Sequence, residues 1–170
     1  LLSYTWSKSL DDASAIRGTN VDIFPQDSYC LSCERGYSAF NTPHRMVTSI
    51  LYELPFGRGK TFADMGGVVN QIIGGWQIGS IITVQSGRPL NMQAGFDVSG
   101  TYNYGEVRLS ATGENPYAAK RTSEQWFNPA GFRLPDPGGF GDISRNRLIG
   151  PSSFSWDFST LKNFPILEGH

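Results

Sequence analysis

The sequence has no long apolar runs and few charged residues. None of its apolar runs approaches the roughly 20 residues that a membrane-spanning helix needs, so only strands could cross a membrane. Charged residues make up 17% of the chain, against about 25% in soluble domains. The net charge of −1 gives no electrostatic reason to expect nucleic acid as a partner. The 20 glycines and 13% aromatic residues are instead typical of strands and turns.

Cysteine and histidine are also scarce. Cys30 and Cys33 form one C-x-x-C in SYCLSCERG, and His44 and His170 are the two histidines. A zinc site needs about four ligands, and a thioredoxin-type motif opens a helix after a strand. The flanking residues indicate a loop: Pro25, Asp27, Ser28 and Gly36. We predict a loop-stapling disulfide between Cys30 and Cys33, with free thiols or a metal site as alternatives.

Four segments alternate between apolar and polar residues, which is the signal of a strand. The clearest is GGWQIGSIITVQSGRP, residues 74–89, and the others begin near residues 2, 45 and 156. Such strands could bury one face in a protein core, or turn that face to lipid around a wet channel. Aromatic residues near the strand ends fit either a membrane girdle or a sandwich core.

The connections between these segments are long, medium and long. Residues 10–43 and 87–152 are polar and rich in turns, whereas 55–74 holds the turn PFGRG and then VVNQII, a segment of one or two helical turns. Outer-membrane barrels place long loops outside and shorter turns in the periplasm. We predict an all-β fold, an antiparallel meander of about four long strands with long loops, as part of a larger outer-membrane β-barrel. A soluble β-sandwich or small barrel is the alternative.

Both chain ends contain or adjoin strand patterns, without an initial Met or a signal-like segment. We therefore expect residues 1–170 to be a single β domain and a piece of a longer protein. Four strands cannot close a barrel, and hydrocarbon does not tolerate open strand edges. The chain is thus expected to associate with further barrel segments.

No motif supports catalysis or cofactor binding. GRGKT at 57–61 lacks the first glycine of a P-loop, because Leu54 stands there. A serine triad could use only His44 or His170, and no G-x-S-x-G elbow is present. We predict no catalytic, cofactor or metal site. An enzyme of unrecognised type remains a third hypothesis, with candidate groups His44, Glu53, Asp157 and the two cysteines.

Five ordered blocks carry a family resemblance. They are SYTWSKSLDD (3–12), ERGYSAFNTPHRMVTSILYELPFGRGK (34–60), IIGGWQIGSIITVQSGRPL (72–90), WFNPAGF (126–132) and GDISRNRLIGPSSFSWDFSTLKNF (141–164). Together they resemble the C-terminal part of the barrel of Oar-like TonB-dependent outer-membrane receptors. These large proteins often carry a carboxypeptidase-regulatory-like domain at the N-terminus.

The resemblance implies a bacterial outer-membrane barrel of about 22 strands with a plug, energised through TonB, that takes up or docks an extracellular ligand. The implied partners are outer-membrane lipid, the remaining barrel and plug segments, TonB and an unidentified ligand. The family's transport residues lie largely in the plug and loops, so no site residue is carried over. The residues implied to face lipid are Tyr4, Trp6, Ile50, Tyr52, Trp76, Ile78, Ile82, Val84, Trp156 and Phe158.

A soluble all-β binding module is the rival function. It would use aromatic residues of the second long connection to bind carbohydrate or peptide, because flat rings stack on such ligands. The candidate residues are Tyr102, Tyr104, Tyr117 and Trp126.

Overall fold

The computed structural model describes residues 1–14, 24–63, 68–102 and 107–164. The long strands are β1 (Leu2–Trp6), β4 (His44–Glu53), β5 (Trp76–Gln85) and β10 (Ser153–Lys162), and one short helix, α1 (Val68–Ile73), precedes β5. The remaining strands have two residues each: β2 (Leu10–Asp11), β3 (Gly36–Tyr37), β6 (Pro89–Leu90), β7 (Ser110–Ala111), β8 (Phe132–Arg133) and β9 (Leu148–Ile149). No described helix is long and apolar enough to span a membrane.

The four long strands form one sheet in the order β1-β4-β5-β10. β5 pairs antiparallel with β4 on one side and with β10 on the other. Leu1 and Ser49 exchange two backbone hydrogen bonds of 2.8 Å, which attach β1 to β4. Each long strand therefore neighbours the next one along the chain, which confirms the predicted all-β antiparallel meander.

The strand register determines which face of the sheet each side chain points to. Met46 pairs with Val84 and Tyr52 pairs with Ile78 across one side of β5, while Trp156 pairs with Ile82 across the other. Directly opposed residues of an antiparallel pair point to the same face. Throughout β4, β5 and β10 the even-numbered residues therefore share one face and the odd-numbered residues share the other.

Both long connections join strands at the same end of the sheet. Arg45, Gln85 and Ser153 are register partners there, and the chain enters or leaves the long connections beside them. The shorter connection, residues 54–75, joins β4 to β5 at the other end. The helix predicted at VVNQII is present in this connection as α1.

Contacts divide the chain into two compact units. The sheet unit comprises Leu1–Thr5, Arg45–Gln85 and Ser153–His170, and the loop unit comprises Trp6–His44 and Ser86–Ser152. The expectation of a single domain over residues 1–170 stays a prediction.

The loop unit has a polar interior. Among the described residues, Val107 and Leu148 are the buried apolar side chains apart from two prolines, and both lie in this unit. The largest fully buried side chains there also include Glu34, Asn41 and Asn146. Hydrogen bonds and ion pairs must therefore supply much of the stabilisation that an apolar core usually provides.

Candidate functional site

One face of the sheet is apolar and uncovered. Leu1 pairs with Ser49, so even-numbered residues of β1 share the even-numbered face as well. The ten residues implied to face lipid all have even numbers and lie on this face: Tyr4 and Trp6 in β1, Ile50 and Tyr52 in β4, Trp76, Ile78, Ile82 and Val84 in β5, and Trp156 and Phe158 in β10. The Trp156 side chain is 62% exposed and Phe158 is 58% exposed. These rings are thus not packed in a sandwich core, which was the alternative fold.

The odd-numbered face is mostly polar, with small, amide and charged side chains and a few apolar ones. Ser49, Gly79 and Ser159 lie side by side across β4, β5 and β10. A Cβ added at Gly79 would lie 2.5 Å from the Ser159 hydroxyl oxygen, so any other residue there would displace that hydroxyl. A groove of about 310 Å³ runs here, and its lining includes Ile81 and Asp157.

A buried ion pair lies in the loop unit. An Arg108 guanidinium nitrogen lies 2.6 Å from a Glu34 carboxylate oxygen, and their side chains are 4% and 2% exposed. The other Glu34 carboxylate oxygen accepts a hydrogen bond of 3.2 Å from the Gln26 backbone N–H. The Gln26 side chain accepts from the Arg108 backbone N–H at 3.1 Å and donates to the Gly141 carbonyl at 3.0 Å.

Arg145 extends this network to the start of the chain. Its guanidinium donates to the Glu34 carbonyl at 2.7 Å, to the Ser14 hydroxyl at 3.0 Å and to the Asp11 carbonyl at 2.6 Å. It also forms an ion pair with the Asp11 carboxylate. The network therefore holds residues of the first long connection against residues of the second, within a single unit.

A comparison with protein families identifies the chain's class. A family model described as an outer membrane beta barrel domain matches residues 1–170. The chain belongs to this family. Searches of curated proteins and of solved structures found no match.

Membership of the outer membrane beta barrel family gives the chain's location, the bacterial outer membrane. In such barrels, strands alternate between apolar residues that face lipid and polar residues that face the interior. The alternation of the two sheet faces agrees with that arrangement. That the ten even-numbered residues contact lipid stays a prediction.

The pKa of Asp11 is shifted by its surroundings in this network. Partial burial raises the pKa of its carboxyl, but hydrogen bonds from Arg145, Ser38 and Ser14 and the charge of Arg145 outweigh burial and lower that pKa below its ordinary value. A carboxyl with a lowered folded-state pKa stabilises the fold above its unfolded pKa, and the stabilisation is lost as pH falls through the folded value.

We therefore expect the loop unit to lose stability as pH falls below about 3.9, the ordinary pKa of aspartate. Asp11→Asn should remove part of this pH dependence, because asparagine does not ionise. Resistance of the loop unit to an acid-active protease between pH 5 and 2 measures the effect. The control is Asp12→Asn at the exposed neighbouring position; an equal change in both variants would contradict the assignment to Asp11.

Cys30 and Cys33 are joined in a disulfide, with Cα atoms 5.3 Å apart. A short 3-10 helix, Leu31–Glu34, contains the second cysteine and ends at the buried Glu34. The Cys33 backbone N–H also donates to the Cys30 carbonyl at 3.0 Å. The disulfide thus constrains the backbone that presents Glu34 to both arginines.

A cavity of about 430 Å³ lies in the loop unit. Phe132 and Leu148 supply apolar lining, and Glu114, Asp142 and Arg147 supply charged groups. One Asp142 carboxylate oxygen accepts from the Ala111 backbone N–H at 2.7 Å. A cavity of this size with both apolar and charged lining can hold a small zwitterionic or peptide-like molecule.

Of the aromatic residues suggested for carbohydrate binding, Tyr117 and Trp126 are brought together by shared contacts with Ile149 and Arg121. Tyr102 is 80% exposed, and Tyr104 lies outside the described residues. The Tyr117 hydroxyl accepts from the Ile149 N–H at 2.9 Å, and the Trp126 indole donates to the Ile149 carbonyl at 3.0 Å. Arg121 lies over both rings, with its Cζ atom 4.2 Å from the Tyr117 centroid and 5.6 Å from the Trp126 centroid.

Two of the candidate catalytic groups, His44 and Glu53, lie far apart on one strand. His44 begins β4 and Glu53 ends it, so about 30 Å of strand separates them. Glu53 accepts from Lys60 at 2.8 Å and from Gln77 at 3.1 Å, which gives it a structural partner at each oxygen. His170 lies outside the described residues. Within the described ranges, no group of three or more His, Cys, Asp or Glu side chains could hold a metal ion.

Sequence reasoning did not single out Glu34, Arg108 and Arg145. Arg108 lies 74 residues from Glu34 in sequence and Arg145 lies 111 residues from it, so no local spacing reveals the cluster. In a polar connection such charges are normally solvated. The C-x-x-C motif beside Glu34 was the only sequence feature near the cluster that drew attention to this part of the chain.

Proposed function

We propose that this chain is part of the barrel of an Oar-like TonB-dependent receptor, which takes up or docks an extracellular ligand and catalyses no reaction. One observation carries the proposal: a chain of the outer membrane beta barrel family forms an antiparallel meander with one apolar face and one polar face. The five sequence blocks that resemble the receptor family support the narrower assignment. The TonB-dependent mechanism itself is part of the proposal.

The placement of the connections supports an orientation in the membrane. Both long connections leave the same end of the sheet, and the shorter connection with α1 lies at the other end. Barrels of the bacterial outer membrane carry long loops outside and short turns in the periplasm. We therefore orient the strand ends that join the long connections toward the outside and the strand ends that join residues 54–75 toward the periplasm.

Ligand docking is assigned to the loop unit. A buried ion pair and a disulfide hold its polar interior, so the described residues around them are in place before any ligand arrives. Preordering lowers the entropy cost of binding. The cavity between Phe132 and Arg147 is the candidate point of contact for the ligand.

Two further partners belong to the proposal. β1 and β10 are the edges of the four-stranded sheet, and an open edge in hydrocarbon is unstable, so neighbouring barrel strands should pair with both. The plug and TonB are the remaining partners expected of the receptor type.

Capture of TonB tests the receptor assignment. The full-length protein, purified in detergent, should cross-link to the purified periplasmic domain of TonB from the same bacterium. A plug-free outer-membrane barrel prepared in the same detergent is the control and should not cross-link. If the folded full-length protein shows no more cross-linking than the control, then the TonB-dependent assignment is wrong, although membership of the barrel family would stand.

A further inference from the structure

The helix α1 carries an uncovered apolar stripe. Its sequence is VVNQII, and Val68, Val69, Ile72 and Ile73 all lie among the exposed large apolar side chains, with Val68 72% and Ile72 65% exposed. Residues four apart lie on the same side of a helix, so the pairs 68/72 and 69/73 form one stripe. A helix in water would normally turn such a stripe inward.

The opposite side of α1 is fixed to the preceding turn. The Asn70 side-chain oxygen accepts from the Arg58 backbone N–H at 2.7 Å. Gly57 and Gly74 approach so closely that a Cβ at Gly57 would lie 2.7 Å from the Gly74 Cα atom. The Asn70 side therefore packs on the turn, and the stripe points away from it.

The end of α1 joins the apolar face of the sheet. The Trp76 indole donates to the Ile72 carbonyl at 2.9 Å, and the Lys162 ammonium donates to the carbonyls of Ile72 and Gly74 at 2.9 and 2.6 Å. Trp76 and Lys162 are register partners on the even-numbered face. The Lys162 ammonium also lies 4.9 Å from the Trp76 ring centroid and 5.4 Å from that of Phe164.

We propose that α1 is an interfacial anchor, seated among phospholipid headgroups with its apolar stripe at the acyl boundary. Tryptophan and lysine concentrate at this depth of a membrane, and the stripe continues the face that we expect to contact lipid. The Lys162 ammonium at the end of α1 suits anionic headgroups. The assignment to the inner leaflet rests on the orientation under the proposed function.

Dye labels on the helix test the proposal in the full-length protein, folded into phospholipid vesicles. Ile72→Cys and the matched control Gln71→Cys would each carry an environment-sensitive dye, because Gln71 lies away from the stripe; the native cysteines form a disulfide. Phospholipids with a nitroxide near the headgroup should quench the dye at position 72 several-fold more strongly than the dye at position 71. The emission at position 72 should also be blue-shifted. Val69→Cys is a second site if Ile72→Cys does not fold.

Two outcomes would contradict the proposal that α1 is an interfacial anchor. Weak quenching and red emission at both positions would place the stripe in water. Blue-shifted emission at positions 69 and 72 without lipid quenching would show that protein covers the stripe. The vesicles contain no TonB, so a negative result in this experiment does not contradict the receptor proposal. A negative result in the TonB cross-linking experiment likewise does not contradict the proposal that α1 is an interfacial anchor.

Discussion

Replacing Arg108 by methionine is expected to destabilise the loop unit by about 3 to 5 kcal/mol, the usual cost of removing one partner of a buried ion pair. Methionine fills a similar volume but leaves the Glu34 carboxylate buried without its cation. The hydrogen bond from the Arg108 side chain to the Ile143 carbonyl, 2.9 Å long, is lost as well. Pulse proteolysis in increasing urea measures the stability of the loop unit.

Arg147→Met is the matched control, because Arg147 is exposed in the same unit. An exposed substitution of this kind usually changes stability by less than about 0.5 kcal/mol. Equal losses in the two variants would show that the buried pair has no special role.

The double variant Arg108→Met/Glu34→Leu shows whether the stability lost in Arg108→Met comes from the unpaired Glu34 charge or from lost packing. Apolar residues of similar volume often replace a buried ion pair at little cost, so we expect most of the stability to return. The Gln26 N–H would still lack its acceptor, which costs about 1 to 3 kcal/mol. A double variant less stable than Arg108→Met would contradict this account.

Ile82→Lys is expected to lower the stability of the membrane-inserted protein by about 2 to 4 kcal/mol, the cost of a lysine on the lipid face near the bilayer midplane. Ile82 lies near the middle of β5, between Thr48 and Trp156 on the even-numbered face. Urea titration of the protein folded in phospholipid vesicles measures the change.

Thr83→Lys is the control for Ile82→Lys, because the neighbouring residue points to the opposite face. Thr83 pairs with Val47 and Ser155 there, and a lysine in a wet interior keeps its hydration. We expect a small effect. A larger loss for Thr83→Lys than for Ile82→Lys would reverse the assignment of the two faces.

The sheet could be predicted because its signal is local. Trp76, Ile78, Ile82 and Val84 alternate along one strand, and a one-residue shift would move all of them to the other face. Val47 and Ile81 break the apolar–polar alternation but do not interrupt the strands, because β4 and β5 pair continuously from Arg45–Gln85 to Glu53–Gln77. Ladder hydrogen bonds thus outweighed a few apolar side chains on the polar face.

The interior of the loop unit could not be predicted, because its contacts join distant segments. Arg145 reaches Asp11 across 134 residues, and neither residue has a neighbour that marks it as buried. Sequence patterns report periodic burial, whereas this network depends on individual side chains in irregular backbone. The cavity has the same origin, since Phe132 and Arg147 come from separate parts of the second long connection.

The central claim is that the even-numbered residues of the sheet contact lipid and the odd-numbered residues face the barrel interior. A nitroxide scan of positions 77–84, one label at a time in the full-length protein in phospholipid vesicles, tests it most directly. Collision with oxygen, which concentrates in lipid, should peak at positions 78, 80, 82 and 84, and collision with a water-soluble nickel complex should peak at the positions between them. Accessibilities without a period of two, or with the two sets exchanged, would contradict the claim.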